Sequence, residues 1–261
     1  MAELKISFYS HSLIRPVSFK MYMPNDTLAQ ENNPHYNRKC KTVFVLHGYS
    51  GHGSGWNRIY DLGEKYNFAL IFPNGENSFY LDSQSTGGKY CTFVGSELVQ
   101  YLQKTFGLCM SKEDTFISGL SMGGFGALHT GLAYPETFGK IVALSSALII
   151  HRIAGMKPGE ENQFANYYYY RNCFGDLDRL IESDNNPEVL VKKLKQQGKN
   201  IPDIYMACGT EDFLIEDNRQ FYQFLSNHDV KVTYIEDTGS HNMEFWNKYF
   251  AKGFAWLAEG N

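Results

Sequence analysis

A sharp strand-to-helix turn lies at residues 115–126, which read Thr-Phe-Ile-Ser-Gly-Leu-Ser-Met-Gly-Gly-Phe-Gly. A short apolar strand leads into Gly-Leu-Ser-Met-Gly and a helix follows, which is the pattern of a nucleophile elbow. Gly119 and Gly123 suit this turn because a Cβ at either position would collide with the neighbouring strand and helix. Ser121 is then held in strained backbone geometry with its hydroxyl exposed, so we predict that it is a nucleophile.

The rest of the chain alternates between strand-like and helix-like segments. Short apolar runs typical of parallel strands covered on both faces span residues 42–46, 68–72, 115–118, 140–144, 203–207 and 230–235. Helical periodicity marks residues 56–66, 92–106, 123–133, 218–227 and a final helix that begins near Phe245. Residues 5–9 and 17–23 are expected to form an opening antiparallel pair. The pattern predicts an α/β fold with a mostly parallel central sheet of about eight strands flanked by helices.

One stretch interrupts this alternation. Residues 147–202 contain no convincing strand and only short helical pieces around 177–181 and 187–194. We expect one domain, residues 1–261, with this stretch inserted as a small helical cap. Four successive tyrosines at 167–170 lie inside it, and a tyrosine run in a short helix more often packs a lid onto the body than lines a substrate entrance.

Composition narrows the possible partners. The chain has 261 residues, a net charge of -4 and a pI near 6.1, without a cluster of Lys and Arg, which argues against nucleic acid and anionic membranes. Its five cysteines are odd in number and lack metal-ligand spacing, so we expect reduced thiols and no metal. The first ten residues contain no apolar signal-peptide core and no later run is long enough for a membrane span, so a cytoplasmic location is expected.

The catalytic base and acid should follow the serine in chain order, each in a loop beyond the carboxyl end of a later strand. Of the eight histidines, only His228 and His241 lie downstream of a plausible acid. His228 ends a predicted helix, where histidine usually interacts with the helix C-terminus, whereas His241 follows the last strand in a glycine-containing loop. We therefore predict His241 as the base.

Two neighbouring carboxylates stand in the loop after the strand at 203–207. Asp212 is predicted as the acid that orients the imidazole, and Glu211 is expected to face solvent. Glu216 and Asp217 are expected in the first turn of the next helix.

A glycine-containing loop follows the first parallel strand and reads His-Gly-Tyr-Ser-Gly-His-Gly-Ser-Gly-Trp at residues 47–56. Because Gly48 lets the backbone come close, the Tyr49 amide is predicted to join the Met122 amide in an oxyanion hole. A nucleotide-binding turn is set aside because the third glycine of that motif is replaced by Trp56. His47 is expected to be a packed, hydrogen-bonded residue under this loop.

The blocks GLSMGGFGA (119–127), CGTEDFL (208–214) and GSHNMEFW (239–246), with FGDLD (174–178) in the cap, carry a family resemblance. Nearly the whole chain resembles the esterase D-like branch of the α/β-hydrolases, most closely bacterial tributyrin esterases and feruloyl or acetyl-xylan esterases. The resemblance implies an α/β-hydrolase fold and a serine carboxylesterase without a cofactor. It also implies short acyl substrates, including acetyl and hydroxycinnamoyl esters.

Three alternatives stay open. S-formylglutathione hydrolases share the branch, but they carry a Thr-Cys-Thr-Asp stretch after the oxyanion loop and an Asp-His-Ser-Tyr-Tyr block at the base, neither of which is present. Acyltransferases share the elbow, and no sequence feature separates transfer from hydrolysis. A non-catalytic, hydrolase-like binding protein is disfavoured because no member of the predicted triad is missing.

Substrate contacts are predicted from residues that flank the catalytic loops, with Trp56, Leu148, Phe213 and Met243 expected to line the substrate pocket. Phe79 and Tyr80 are further candidates, although such residues are more often ordinary core. The expected partner is a small-molecule ester, including an acylated sugar or a phenolic ester, and an oligomer is compatible with the sequence.

Overall fold

A single mixed sheet forms the centre of the computed structural model, which describes residues 2–24, 32–54 and 59–259. Its eight strands are β1 (Ala2–Ser10), β2 (Arg15–Met23), β3 (Lys41–Leu46), β4 (Phe68–Pro73), β5 (Thr115–Leu120), β6 (Lys140–Leu144), β7 (Asp203–Gly209) and β8 (Val232–Asp237). They lie side by side in the order β1-β2-β4-β3-β5-β6-β7-β8. The predicted number of strands is confirmed.

Strand direction divides the sheet into two parts. β1 pairs antiparallel with β2, and β2 pairs antiparallel with β4. All pairs from β4 to β8 are parallel. The expected opening antiparallel pair and the mostly parallel sheet are therefore confirmed. Because the carboxyl ends of β3 to β8 meet at one edge, the loops after these strands are brought together there.

Helices cover both faces of the sheet. They are α1 (Tyr60–Tyr66), α2 (Tyr90–Thr92), α3 (Leu98–Phe106), α4 (Met122–Ala133), α5 (Ile150–Ile153), α6 (Tyr167–Phe174), α7 (Pro187–Gln196), α8 (Ile215–Asn227) and α9 (Met243–Ala258). Their apolar residues form two buried clusters with those of the strands. The helix α4 is buried over nearly its whole length, because it runs directly behind the elbow between the sheet and the cap segment.

Some predicted boundaries differ from the structure. The helix predicted at 92–106 is three pieces, with a π-helical turn at Phe93–Glu97 between α2 and α3. Gly95 lies in that turn against the Tyr134 ring, where an added Cβ would come within 2.2 Å of a ring carbon. The helix predicted at 218–227 begins at Ile215, and the last strand lies two residues later than 230–235.

The residues between β6 and β7, here called the cap segment, hold the helices α5, α6 and α7. The helix predicted at 177–181 is only a 3-10 turn at Leu180–Glu182, whereas the helix predicted at 187–194 is α7. Tyr170 is buried and Tyr168 is exposed. None of the helices described between residues 2 and 259 has the length and apolar character that a bilayer span requires.

Candidate active site

The elbow places Ser121 between β5 and α4 with φ 55° and ψ −121°. This left-handed conformation costs a non-glycine residue on the order of 1–3 kcal/mol and turns the side chain away from the sheet. A Cβ at Gly119 would lie 2.1 Å from the Gly123 carbonyl oxygen, and a Cβ at Gly123 would lie 2.1 Å from the Leu46 carbonyl oxygen. The predicted steric need for both glycines is confirmed.

A chain of hydrogen bonds runs from the elbow serine to a buried carboxylate. The Ser121 Oγ lies 3.0 Å from His241 Nε2, and His241 Nδ1 lies 2.8 Å from Asp212 Oδ2. The Asp212 side chain is completely buried, and its second oxygen accepts a hydrogen bond from the Leu214 amide at 2.9 Å. An ionised carboxylate accepts hydrogen bonds only, so Nδ1 carries the proton and Nε2 is left to accept from the serine hydroxyl.

The loops that carry Asp212 and His241 are joined by backbone contacts. The Thr210 amide donates to the Asp237 carbonyl at 2.9 Å, and the Glu211 amide donates to the Gly239 carbonyl at 3.0 Å. Gly209 allows this approach, since a Cβ there would lie 2.1 Å from the Gly239 oxygen. The separation of the carboxylate from the imidazole is thus set by paired loops rather than by side chains alone.

The other candidate acid and base lie elsewhere. Glu211 is exposed, and its carboxylate is 3.5 Å from the Ser240 hydroxyl. His228 follows the last residue of α8, and its Nδ1 donates to the Phe224 carbonyl at 2.8 Å.

Aromatic side chains hold the imidazole on two sides. The Phe213 ring centroid lies 4.6 Å from that of His241, and the Trp246 ring lies 4.8 Å away at an angle of 87°. The Trp246 indole N–H donates to the buried Ser145 hydroxyl at 3.1 Å. From the sequence, Trp246 was included only as the last residue of the GSHNMEFW block, and its contact with His241 was not predicted.

Arg152 connects the cap segment to α8 and to the loop before it. Arg152 in α5 donates to the Asp217 carboxylate at 2.7 Å and to the Phe213 carbonyl at 2.9 Å. Burial raises the pKa of Asp217, and the nearby guanidinium opposes that rise.

The loop at residues 48–51, here called the oxyanion loop, passes directly over the elbow. A Cβ at Gly48 would lie 2.9 Å from a methyl carbon of Leu120 and 3.4 Å from the Ser121 Cβ. Within the described ranges, neither the Tyr49 amide nor the Met122 amide donates a hydrogen bond to another protein group. Met122 is the first residue of α4, where backbone N–H groups have no partner inside the helix.

His47 lies buried under the oxyanion loop. Its Nδ1 donates to the Gly48 carbonyl at 2.8 Å, and its Nε2 accepts from the Gly75 amide at 2.9 Å. Burial lowers the pKa of His47, which favours the neutral ring that this hydrogen-bond pattern requires. The expectation of a packed, hydrogen-bonded histidine is confirmed.

A cavity of about 480 Å³ opens beside Ser121 and His241. The side chains that line it are mostly apolar and include Tyr49, Phe79, Met122, Ala147, Ile149, Phe164, Tyr169, Tyr170, Phe213, Leu214, Met243 and Trp246. No Asp, Glu, Lys or Arg is among the lining residues in the described part of the chain.

Of the four residues that were predicted to contact the substrate, two line this cavity in the described part of the chain. Phe213 and Met243 line this cavity. Leu148 does not: it is buried and faces a separate small cavity under the cap segment, while its neighbours Ala147 and Ile149 face the active site. The structure therefore does not place Leu148 in the substrate pocket, because the irregular backbone after β6 turns this side chain to the other side of the stretch. Trp56 lies outside the described residues.

The cap segment supplies lining residues that were not predicted. Phe164 stacks on Phe213 with 5.4 Å between centroids, and the Tyr169 ring meets the Tyr49 ring edge-on at 5.9 Å. The tyrosine run therefore both packs the cap and lines the cavity. No sequence period in residues 147–202 indicated which side chains face inward.

Known proteins share this architecture along their whole length. The family model described as "Putative esterase" matches residues 10–257. An acetyl esterase of Caldicellulosiruptor saccharolyticus is 44% identical over 263 residues, which cover 99% of this chain and 99% of that protein. A fluorophosphonate-binding serine hydrolase of Staphylococcus aureus, solved with bound substrate, has a TM-score of 0.84 at 25% identity, covering 99% of this chain and 98% of its own. The S-formylglutathione hydrolase of the same organism has a TM-score of 0.82 at 24% identity, with 99% of both chains covered.

A mostly parallel sheet flanked by helices, with a serine at a sharp turn after β5, defines an α/β-hydrolase fold. The chain belongs to the esterase family, and it is a carboxylic ester hydrolase. The resemblance to esterases that the sequence blocks indicated is thereby confirmed.

Proposed function

We propose that this esterase cleaves short, uncharged acyl esters through Ser121, His241 and Asp212. The observation that carries the proposal is the hydrogen-bonded series from Ser121 to the buried Asp212, which opens onto an apolar cavity. A serine hydroxyl is a weak nucleophile until an adjacent base accepts its proton, and the base needs a fixed tautomer to do so.

In the acylation step His241 Nε2 takes the Ser121 proton while Oγ attacks the ester carbonyl carbon. The carbonyl oxygen becomes an oxyanion and binds the Tyr49 and Met122 amides. When the tetrahedral intermediate collapses, the bond to the alcohol oxygen breaks and His241 gives its proton to the leaving alkoxide. Asp212 stabilises the transient imidazolium and stays ionised throughout.

In the deacylation step water takes the place of the alcohol. His241 removes a proton from the water as it attacks the acyl carbonyl carbon. When the second tetrahedral intermediate collapses, the bond to Ser121 Oγ breaks, His241 returns its proton to Oγ and the carboxylic acid is released.

The cavity supports a neutral substrate. Its described lining contains no group that would pair with a carboxylate or an ammonium, and burying an unpaired charge is costly. A glutathione thioester carries charges of both kinds, so it is the weaker candidate. The acetyl esterase relative supports a short acyl group.

A hydroxycinnamoyl ester is a second candidate substrate. The stacked rings of Phe164 and Phe213 and the side chain of Met243 border the cavity and offer an aromatic surface next to His241.

Matched initial rates test both candidates. Acetyl, butyryl and octanoyl nitrophenyl esters, methyl ferulate and S-formylglutathione should be compared in wild type and Ser121→Ala. We expect turnover of the short esters that falls by at least about 10³-fold in Ser121→Ala, with folding unchanged. Full turnover in the variant would overturn the assignment of Ser121, and a methyl ferulate preference would favour the second candidate.

Product analysis with an added alcohol separates hydrolysis from acyl transfer. A hydrolase should release the free acid even at high alcohol concentration, because water is the acceptor. A transferase would form mainly the new ester.

Two further expectations from the sequence stay predictions: one domain over residues 1–261 and a cytoplasmic location. All five cysteines are free thiols, which suits a reducing compartment.

A further inference from the structure

An exposed asparagine supports the outer side of the oxyanion loop. Asn77 follows β4, and its Oδ1 accepts a hydrogen bond from the Ser50 amide at 2.7 Å. Ser50 directly follows Tyr49 and has φ 57°, a left-handed conformation that costs a non-glycine residue about 1 kcal/mol. The asparagine oxygen therefore satisfies the amide of a strained residue next to the proposed oxyanion donor.

The backbone carbonyl of Asn77 accepts a hydrogen bond from the cap segment. The Tyr169 hydroxyl, on α6, donates to the Asn77 carbonyl at 2.6 Å. The Tyr169 ring lines the cavity and meets the Tyr49 ring edge-on. Asn77 is thus bonded on one side to the oxyanion loop and on the other to a cap residue that faces the substrate.

The turn around Asn77 is fixed to the body of the protein. The Ser78 hydroxyl donates to the Gly75 carbonyl at 2.6 Å, and the Gly75 amide donates to the buried His47 ring. Because the turn is anchored through Gly75 to a buried residue, its bond to Ser50 restricts the movement of the oxyanion loop.

We propose that Asn77 is a positioning residue for the oxyanion hole. Through its bond to Tyr169, it couples the position of the cap segment to the position of the Tyr49 amide. The inference rests on the proposed function, in which that amide binds the oxyanion. Donors fixed in advance stabilise the transition state more than the ground state. Loosening the loop should therefore lower kcat and leave KM nearly unchanged.

The two contacts can be removed separately. Asn77→Ala removes the oxygen that holds Ser50 but keeps the carbonyl that holds Tyr169, and Tyr169→Phe removes only the hydroxyl. We expect each to lower kcat on nitrophenyl acetate about fivefold, the effect of one hydrogen bond, with KM within about twofold. Affinity for a trifluoromethyl ketone, whose adduct with Ser121 carries an oxyanion, should fall by the same factor.

A double-mutant cycle tests the coupling, with Asn185→Ala as the matched control. Asn185 also bonds the cap helix, by donating to the Phe174 carbonyl at 3.0 Å, but it makes no contact with the oxyanion loop. The Tyr169→Phe effect should shrink in the Asn77→Ala background, and Asn185→Ala should leave kcat unchanged.

Unchanged kcat and inhibitor affinity in Asn77→Ala would overturn the positioning role, and so would an equal loss in Asn185→Ala. Strictly additive effects in the cycle would overturn the coupling to the cap. Full activity of Ser121→Ala in the same assay would instead overturn the proposed function. The result for Ser121→Ala therefore distinguishes a failure of the proposed function from a failure of the role of Asn77.

Discussion

Asp212 and Glu211 are adjacent carboxylates with opposite environments. The Asp212 side chain is fully buried and bonds both His241 and the Leu214 amide, whereas Glu211 is exposed. Chain order and loop position led to the prediction of Asp212, rather than Glu211, as the acid. The close approach of the two loops at Gly209 and Gly239, which brings Asp212 to His241, was visible only in the structure.

These environments predict different outcomes for two amide substitutions. Asp212→Asn should lower kcat on nitrophenyl acetate by about 10⁴-fold, because an amide neither fixes the required tautomer nor stabilises the imidazolium. Glu211→Gln changes an exposed group and should stay within about twofold of wild type. Steady-state kinetics of the two purified variants checks this, and a severe loss in Glu211→Gln with an active Asp212→Asn would show that the acid is misassigned.

Residue-scale prediction was poorest where the backbone lacks a regular period. Ala147 and Ile149 face the active-site cavity while Leu148 faces away. In a strand or helix the period indicates which side chains share a face, but the stretch after β6 has neither. That a residue is close in sequence to a predicted catalytic loop is therefore weak evidence that its side chain lines the pocket.

The elements of the sheet were predictable because each parallel strand is a short apolar run between turn residues. β4, β5, β6 and β7 each begin at the predicted residue, and β3 begins one residue earlier than predicted. The cap segment was less predictable: α6 is built from tyrosines with a weak helical signal, and its stability depends on tertiary packing.

The contact between Phe164 of the cap segment and Phe213, in the loop after β7, predicts an effect on substrate binding. Phe164 is about half exposed and stacks on Phe213, whose ring in turn contacts the His241 ring. We expect Phe164→Ala to raise KM for phenyl acetate about three- to tenfold, because one aromatic contact is lost. KM for ethyl acetate, which has no ring in its alcohol, should change less than about twofold.

Tyr168→Ala is the control for this element, since Tyr168 is on the same cap segment but does not line the cavity. It should leave both KM values at the wild-type level. An equal rise for phenyl and ethyl acetate in Phe164→Ala would indicate a general disturbance of the cap segment and contradict a contact between Phe164 and a substrate ring.

At the scale of the whole molecule, one buried histidine joins α4 to the cap segment. His129 in α4 donates from Nε2 to the Asp184 carbonyl at 2.9 Å, and its Nδ1 faces the Cys91 thiol at 3.6 Å. This arrangement suits the neutral ring, because Nε2 donates to a carbonyl while Nδ1 faces a thiol, which can donate to it. This contact could not be predicted from the sequence, because a histidine in the middle of an apolar helix has no local signature and its partners are 38 and 55 residues away.

Burial lowers the pKa of His129 to about 4, whereas an unfolded histidine titrates near 6.5. Since the folded-state pKa is the lower one, the unfolded chain binds the extra proton, and stability from this group is lost as the pH falls from 6.5 towards 4. Between pH 7.5 and 5.0, wild type should lose about 2 kcal/mol more unfolding free energy than His129→Gln, which lacks the titrating ring. Urea unfolding at the two pH values measures the difference, with the exposed His11→Gln as a control that should follow wild type. An identical pH dependence in His129→Gln and wild type would show that the acid sensitivity arises elsewhere in the fold.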